Sequence, residues 1–384
     1  MILSVPGAES LPSRGIGPAV SAASPPAQPQ LDRQTLTPIA AAEIGERRDV
    51  AAVARRMPIQ LIAPLAASSG VEMDKAWGLD AVGALTSQFT GEGATVAILD
   101  TGIDRNHPAF TGVNIVEQDF TGSGNGDTHG HGTHCAGTIL GRNVNGVRIG
   151  VAPGVTNLLV GKVIGAQNGD STMLFDAIDW AIRQGADVIS MSLGFDFPGY
   201  VARRILVENM PIQAAVADGL EAYRTNLRML DAIIEMSNVG GAYDRDPIVI
   251  AAAGNESRRP AYTVPTSIPG AVLDVVSVAA LQRDGAGGHG IASFSNTVPQ
   301  LAAPGVDILS AEHRTGGLVA MSGTSMACPH VAGVAALWWQ ALRSQGRRHG
   351  GVDIMAQLFA TAHFAGIASG TTGDDVGRGM VKAP

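Results

Sequence analysis

Cysteine is nearly missing from this chain: Cys135 and Cys328 are the only two in 384 residues. Two thiols cannot build the disulfide framework that supports small secreted domains, so the fold must stand on an apolar core. Aromatic residues are scarce too, at 4%, which leaves packing to aliphatic and small side chains. Basic residues are outnumbered, 26 against 34 acidic, for a formal charge of −8. No basic stripe is present to neutralise phosphates, which argues against nucleic acid as a partner. The short runs Arg203-Arg204 and Arg347-Arg348 read as solvated faces. No apolar run is long enough to cross a bilayer, so no membrane partner is expected. The opening Met1-Ile2-Leu3-Ser4-Val5-Pro6 lacks a basic stretch followed by a long apolar one. A soluble protein is expected, cytoplasmic or, if a leader is missing from this sequence, exported.

What is abundant is glycine, at 49 residues, within a chain that is 45% hydrophobic. That supports one large α/β domain with many turns and close backbone approaches. Residues 1–30 are rich in Pro, Ala and Ser and are expected to be a disordered arm. Residues 31–70 change character: Ala40 to Arg56 is helix-friendly, and Met57-Pro58-Ile59-Gln60-Leu61-Ile62 reads as extended. From about residue 71, strands and helices alternate. Ala94–Leu99, Leu158–Val163, Val188–Leu193, Ile248–Ala253 and Val272–Val278 are apolar, partly β-branched runs of the kind found in buried parallel strands. Helices are expected over His131–Leu140, over Ser171–Gln184 with Ser171 or Thr172 as N-cap, and over Ser325–Arg343 with Pro329 in its first turn. Arg203–Met210 and Ala214–Ser237 add a helical stretch, 195–245, that is long for one crossover. The fold class is α/β, with a mostly parallel central sheet and helices on both faces.

Three segments carry chemistry: Asp100-Thr101-Gly102-Ile103-Asp104, His131-Gly132-Thr133-His134-Cys135-Ala136-Gly137 and Gly323-Thr324-Ser325-Met326-Ala327-Cys328-Pro329-His330. Each sits where a strand meets a turn or a helix begins, which is where open parallel sheets collect their sites. A serine hydroxyl is a poor nucleophile at neutral pH. It needs a neutral imidazole to take its proton, and the imidazole needs a carboxylate on its far nitrogen to fix its tautomer. Asp100, His131 and Ser325 supply those types, and free N–H groups at the start of the last helix suit a developing oxyanion.

In this order and with these flanks, the three segments resemble the subtilisin-like serine proteases, whose Asp, His, Ser chain order they share. The resemblance takes in Ser190-Met191-Ser192-Leu193-Gly194, Ala252-Ala253-Gly254-Asn255, Phe294-Ser295-Asn296 and Ala303-Pro304-Gly305, and spans roughly residues 71–384. It implies a three-layer sandwich and a serine endopeptidase acting on polypeptides through an acyl-enzyme. Asp100, His131 and Ser325 become the triad, and Asn255 the oxyanion donor. Ser192, Leu193 and Gly194 become the strand that pairs with substrate, and Ala252, Ala253 and Gly254 a wall of the pocket for the residue before the cut. Glu256, just beyond, is either a selector of basic side chains or a solvated carboxylate. Cys135 is expected beneath His131, as in relatives carrying His-Gly-Thr-His-Cys.

The chain also departs from the family. Many relatives bind calcium through the Asp of a His-Pro-Asp run, but here the run is His107-Pro108-Ala109. The loop from Arg142 to Arg148 offers Asn143 and Asn145 between two cations, so no strong calcium site is expected. No other metal and no cofactor is expected either. Residues 31–70 resemble at most the tail of a pro-segment, and self-cleavage is expected near 60–72. The 195–245 insertion is expected to cap or narrow the cleft. The alternative function is a locked, inactive binding module of the same fold. A metal cluster of Asp127, His129, His131 and His134 is disfavoured, because that spacing does not place three rings on one helical face. Gly122-Ser123-Gly124-Asn125-Gly126 lacks the Lys-Ser/Thr ending of a phosphate loop. His134 and His330 read as structural.

Overall fold

Apolar runs without polar alternation need cover on both faces, and the central sheet provides it. In the computed structural model, which describes residues 1–5, 28–66, 75–166, 169–238, 246–285, 287–346 and 349–384, this sheet has eight strands. They are β1 (Thr95–Asp100), β2 (Asn114–Asp119), β3 (Asn157–Lys162), β4 (Val188–Met191), β5 (Ile248–Ala252), β6 (Val275–Arg283), β7 (His289–Ile291) and β8 (Leu301–Pro304). The order is β7-β6-β5-β4-β1-β3-β2, with β8 also paired to β6. Every pairing is parallel except β6 with β7. After β3 the chain crosses to the far side of β1, so β1 and β4 flank the point where strand order reverses.

Side chains divide by strict alternation. Val96 and Ile98 of β1 join one core with Ile248 and Ile250 of β5, against α1 (His131–Leu140) and α5 (Thr324–Ser344). Ala97 and Leu99 join the other with Val249 and Ala251, against α2 (Ser171–Arg183) and α4 (Ile212–Asn238). Helix α3 (Phe197–Leu206) and α4 make up most of the expected insertion, whose last residues, 239–245, lie outside the described residues.

Four sequence readings are corrected. The α2 N-cap is Asp170, whose carboxylate accepts from the Thr172 and Met173 N–H groups, so Ser171 and Thr172 are already helical. Helix α5 starts at Thr324, which puts Pro329 in its second turn. The fifth run pairs from Val275 rather than Val272. The run at Val188 breaks after Met191, and Leu193–Phe195 forms a separate strand.

The amino-terminal region is also more ordered than its composition implies. Ile2–Ser4 pairs antiparallel with both Gln30–Asp32 and Val50–Val53, and Leu3 is buried. Most of the expected arm, 6–27, lies outside the described residues, as do the boundary at 71 and Arg347-Arg348. A helix at Pro38–Gly45 is capped by the Thr37 hydroxyl. Met1, Leu3, Ala52, Ala54, Met57 and Ile59 share the second core with α2 and α4. The insertion contacts this amino-terminal unit through α4 and Val50–Val53, and the strand Pro58–Leu61 through α3.

Ile250→Ala opens a cavity in the core between the sheet and α5, on a fully buried strand, so it should lower unfolding free energy by about 2–5 kcal/mol. A urea denaturation midpoint that stays at the wild-type value would contradict this placement.

Candidate active site

Asp100 ends β1 at the sheet's reversal point and is 2% exposed. One of its oxygens accepts the Thr101 N–H at 2.7 Å. His131 Nδ1 donates to the two carboxylate oxygens at 2.8 and 3.0 Å. That places the imidazole proton on Nδ1 and leaves Nε2 as the basic nitrogen. Among the described residues Nε2 is buried without a hydrogen-bond partner.

Helix α1 begins at His131 after Gly130, which has no side chain to cap it. Asp127 does that work from the preceding loop. It accepts from the N–H groups of His129, Gly130 and Thr133 and from the hydroxyls of Thr133 and Thr101. Thr101 Oγ in turn accepts the Gly132 N–H at 3.0 Å, tying the end of β1 to the first turn of α1. Gly132 has to be glycine: a Cβ there would lie 2.2 Å from the Gly102 carbonyl oxygen. Burial works against the Asp127 charge, but the hydrogen bonds from Thr133, Gly130 and His129 outweigh it and hold the carboxyl below its usual range.

Ser325 is the second residue of α5 and is fully buried. Pro329, four residues on, has no N–H to bond the Ser325 carbonyl. Ser192 Oγ at 3.2 Å and Cys135 Sγ at 3.4 Å serve that carbonyl instead. Ser192 therefore faces the Ser325 backbone. Cys135 Sγ is 3.8 Å from His131 Nδ1. Burial pushes its thiol well up, so it stays protonated.

Asn255 is aimed from both sides. Its Oδ1 accepts from the Thr324 N–H and hydroxyl, each at 2.9 Å, which turns Nδ2 outward. Asn296 fixes the loop that bears it, accepting from Glu256 N and Ser257 N and donating to the Ala253 carbonyl. Glu256 is spent on the same network, accepting from Asn296 Nδ2 at 2.7 Å. Gly254, at φ 111°, leaves no room for a Cβ beside Asn296.

The main finding of the site is its occupant. Residues Pro58–Leu61 form a strand between Leu193–Phe195 and Gly169–Asp170, antiparallel to both. Leu193, Gly194 and Phe195 pair with Leu61, Gln60 and Ile59. The Ser325 hydroxyl donates to the Ile62 carbonyl at 3.0 Å, and Asn255 Nδ2 donates to the Ala63 carbonyl at 3.1 Å. Leu65–Ala66 then pairs with the strand Leu318–Ser322. Sequence reasoning had marked 57–62 as extended but had no signal for its destination, because its partners lie more than 100 residues away. It also missed Asp127, Thr101 and Thr324, whose roles exist only once the loops meet.

His134 and His330 lie apart from this chemistry. His134 Nε2 bonds the Ile308 carbonyl and His330 Nδ1 the Met326 carbonyl. Burial lowers them to about 3 and about 4, so both stay neutral. In the 142–148 loop the Arg142 and Arg148 guanidinium groups bond the carbonyls of Leu140, Val155, Ala84, Gly150 and Val151.

A carboxylate-oriented imidazole and a buried serine at a helix start, on a doubly covered parallel sheet, define a serine hydrolase. The model of the subtilase family matches residues 91–379. An intracellular serine protease of Paenibacillus polymyxa is 36% identical over 282 residues, covering 70% of this chain and 71% of that protein. The major intracellular serine protease of Bacillus subtilis (strain 168) is 33% identical, covering 64% and 68%. Thermitase of Thermoactinomyces vulgaris is 34% identical, covering 67% and 77%. The chain belongs to the subtilase family and is a serine-type endopeptidase. No helix among the described residues is long and apolar enough to cross a membrane.

Asp127 gives a pH prediction. Its folded-state pKa lies below the unfolded value of about 3.9, so its contribution is complete above that value and is lost as pH falls through the folded pKa. Asp127→Asn should cost about 1–3 kcal/mol at pH 7 and flatten the loss of stability on acidification below pH 4. Equal acid slopes in wild type and variant, measured by urea unfolding, would refute it.

Proposed function

We propose that this chain cuts polypeptides with Asp100, His131 and Ser325 as its triad and Asn255 as oxyanion donor, and that its own residues 58–66 hold the cleft until they leave. The observation that carries the second part is the split register at the nucleophile. Ser325 bonds the Ile62 carbonyl while Asn255 bonds the next one, at Ala63. Attack requires nucleophile and oxyanion donor on the same carbonyl. With the two groups on neighbouring carbonyls the segment is bound along the substrate path but is not cut in this register. The bond after Ala63 also leads into Pro64, whose ring restricts the backbone at the point where the leaving nitrogen must move.

Once the segment leaves, the Ser325 hydroxyl is free to give its proton to His131 Nε2 as Oγ bonds the substrate carbonyl carbon. Asp100 stabilises the imidazolium. Asn255 Nδ2 and backbone N–H groups at the α5 start receive the oxyanion, and His131 returns the proton to the departing amine. Water then hydrolyses the acyl-enzyme by the same route. Leu193 and Gly194 offer substrate the main-chain bonds they now make to Leu61 and Gln60, with Ser192 at the neck of that strand. Ala252, Ala253 and Gly254 border the pocket for the residue before the cut. No metal or organic cofactor is needed for these steps. Residues 31–66 act as the tail of a pro-segment, and self-cleavage near 60–72 turns the held chain into the free enzyme.

A fluorophosphonate should label the wild type, increasingly on incubation, and should not label Ser325→Ala. Ser325→Ala should keep its intact mass while wild type loses its amino-terminal part. Asn255→Ala should lower kcat with little change in KM; about 10²–10³-fold is the size known for such a donor in subtilisin. A wild type that never labels and never changes mass would establish the locked binding module instead.

A further inference from the structure

Upstream of the cleft the polypeptide meets a second surface, built by the insertion. Arg55 and Arg56 stand eight and seven residues before Ala63, well past the strand that pairs with Leu193–Phe195. The α4 helix takes hold of the main chain there. Asn226 Nδ2 donates to the Arg55 carbonyl at 2.8 Å, and the Arg55 N–H reaches Thr225 Oγ at 3.4 Å. Asn226 is fully buried, and its Oδ1 has no hydrogen-bond partner among the described residues. The Arg55 guanidinium pairs with Asp218 of α4. Asp218 is aimed at it by the insertion itself: its other oxygen accepts from Tyr200 Oη and Arg204 Nε of α3, both at 2.8 Å. Arg56 Nε donates at 2.7 Å to Asp170, the α2 N-cap.

These contacts combine sequence-independent capture of the backbone with two carboxylates placed for two adjacent cations. That is the construction of a peptide-recognition site. The carboxylate aimed by Tyr200 and Arg204 is preorganised, so little ordering is needed when a guanidinium arrives.

We propose that the insertion, together with Asp170 beside it, forms an upstream subsite for polypeptide substrates, selecting paired basic residues seven and eight positions before the residue at Asn255, and that Arg55 and Arg56 fill it in the held chain. The proposal rests on the protease reading above. It gives the insertion a role in reading the substrate, beside the expected one of capping or narrowing the cleft.

The test uses two peptidyl aminomethylcoumarins. One is Arg-Arg-Met-Pro-Ile-Gln-Leu-Ile-Ala, and the other has Ala-Ala in place of Arg-Arg. Both are assayed on the full chain after incubation, with active centres counted by fluorophosphonate. The basic peptide should show a KM about fivefold lower, with kcat unchanged because the contact is remote from the reacting bond. Asp218→Asn should abolish that difference, and Glu221→Gln, an exposed residue of the same helix paired to Arg224, should retain it. Equal KM values on a labelled, active protein, or a preference that survives Asp218→Asn, would overturn the subsite. A second measurement does not depend on turnover: trypsin cleavage after Arg55 or Arg56 in full-length Ser325→Ala. Asp218→Asn should speed that cleavage several-fold and Glu221→Gln should not. Unchanged cleavage in Asp218→Asn would overturn the proposal even if the protein proved inactive.

Discussion

A carboxylate at the end of a buried strand has to be neutralised or fully hydrogen-bonded, since an unpaired buried charge costs several kcal/mol. Asp100 meets that demand with the Thr101 N–H and His131 Nδ1, and much of the surrounding geometry serves to deliver the imidazole. Asp127 caps the helix that begins at His131, Thr101 links strand to helix, and Gly132 lets the two backbones close. The same constraint orients the ring, and its basic nitrogen is left without a hydrogen-bond partner among the described residues. Pro329 adds a further consequence. By lacking an N–H it releases the Ser325 carbonyl to Ser192 and Cys135, which ties the serine's helix to the residue before the strand Leu193–Phe195 and to the helix of His131.

The cleft so formed is filled by its own chain. A strand between two strands has both edges satisfied, and Ile59 buries its side chain in the core shared by α2 and α4. The amino-terminal unit is therefore bound by packing, by the sheet ladder and by ion pairs together. Under the proposed function, its removal would expose the edges of Leu193–Phe195 and Gly169–Asp170 to the next polypeptide, so that occupation and catalysis would use one set of backbone groups.

Much of this was legible in the sequence, for identifiable reasons. Buried parallel strands such as Thr95–Asp100 and Ile248–Ala252 leave unbroken apolar runs, and Asp100, His131 and Ser325 sit at motif positions that local geometry dictates. The resemblance of Ala252-Ala253-Gly254-Asn255 drew attention to the loop that bears Asn255, though not to the Thr324 contacts that orient its side chain. The amino-terminal strand at Ile2–Ser4 was not, because three residues in a Pro-rich context carry no periodicity and their partners are distant in sequence. The destination of Pro58–Leu61 was hidden for the same reason: antiparallel pairing with Leu193–Phe195 is a tertiary event. Asp127 read as a possible metal ligand because its spacing to the histidines says nothing about helix capping across a loop.

The most direct test of a self-occupied cleft is backbone amide hydrogen exchange over residues 58–62 in full-length Ser325→Ala, where self-cleavage cannot intervene. The account predicts protection close to that of the neighbouring strand Leu193–Phe195, since the two share one ladder. Exchange at the rate of a free peptide would contradict it.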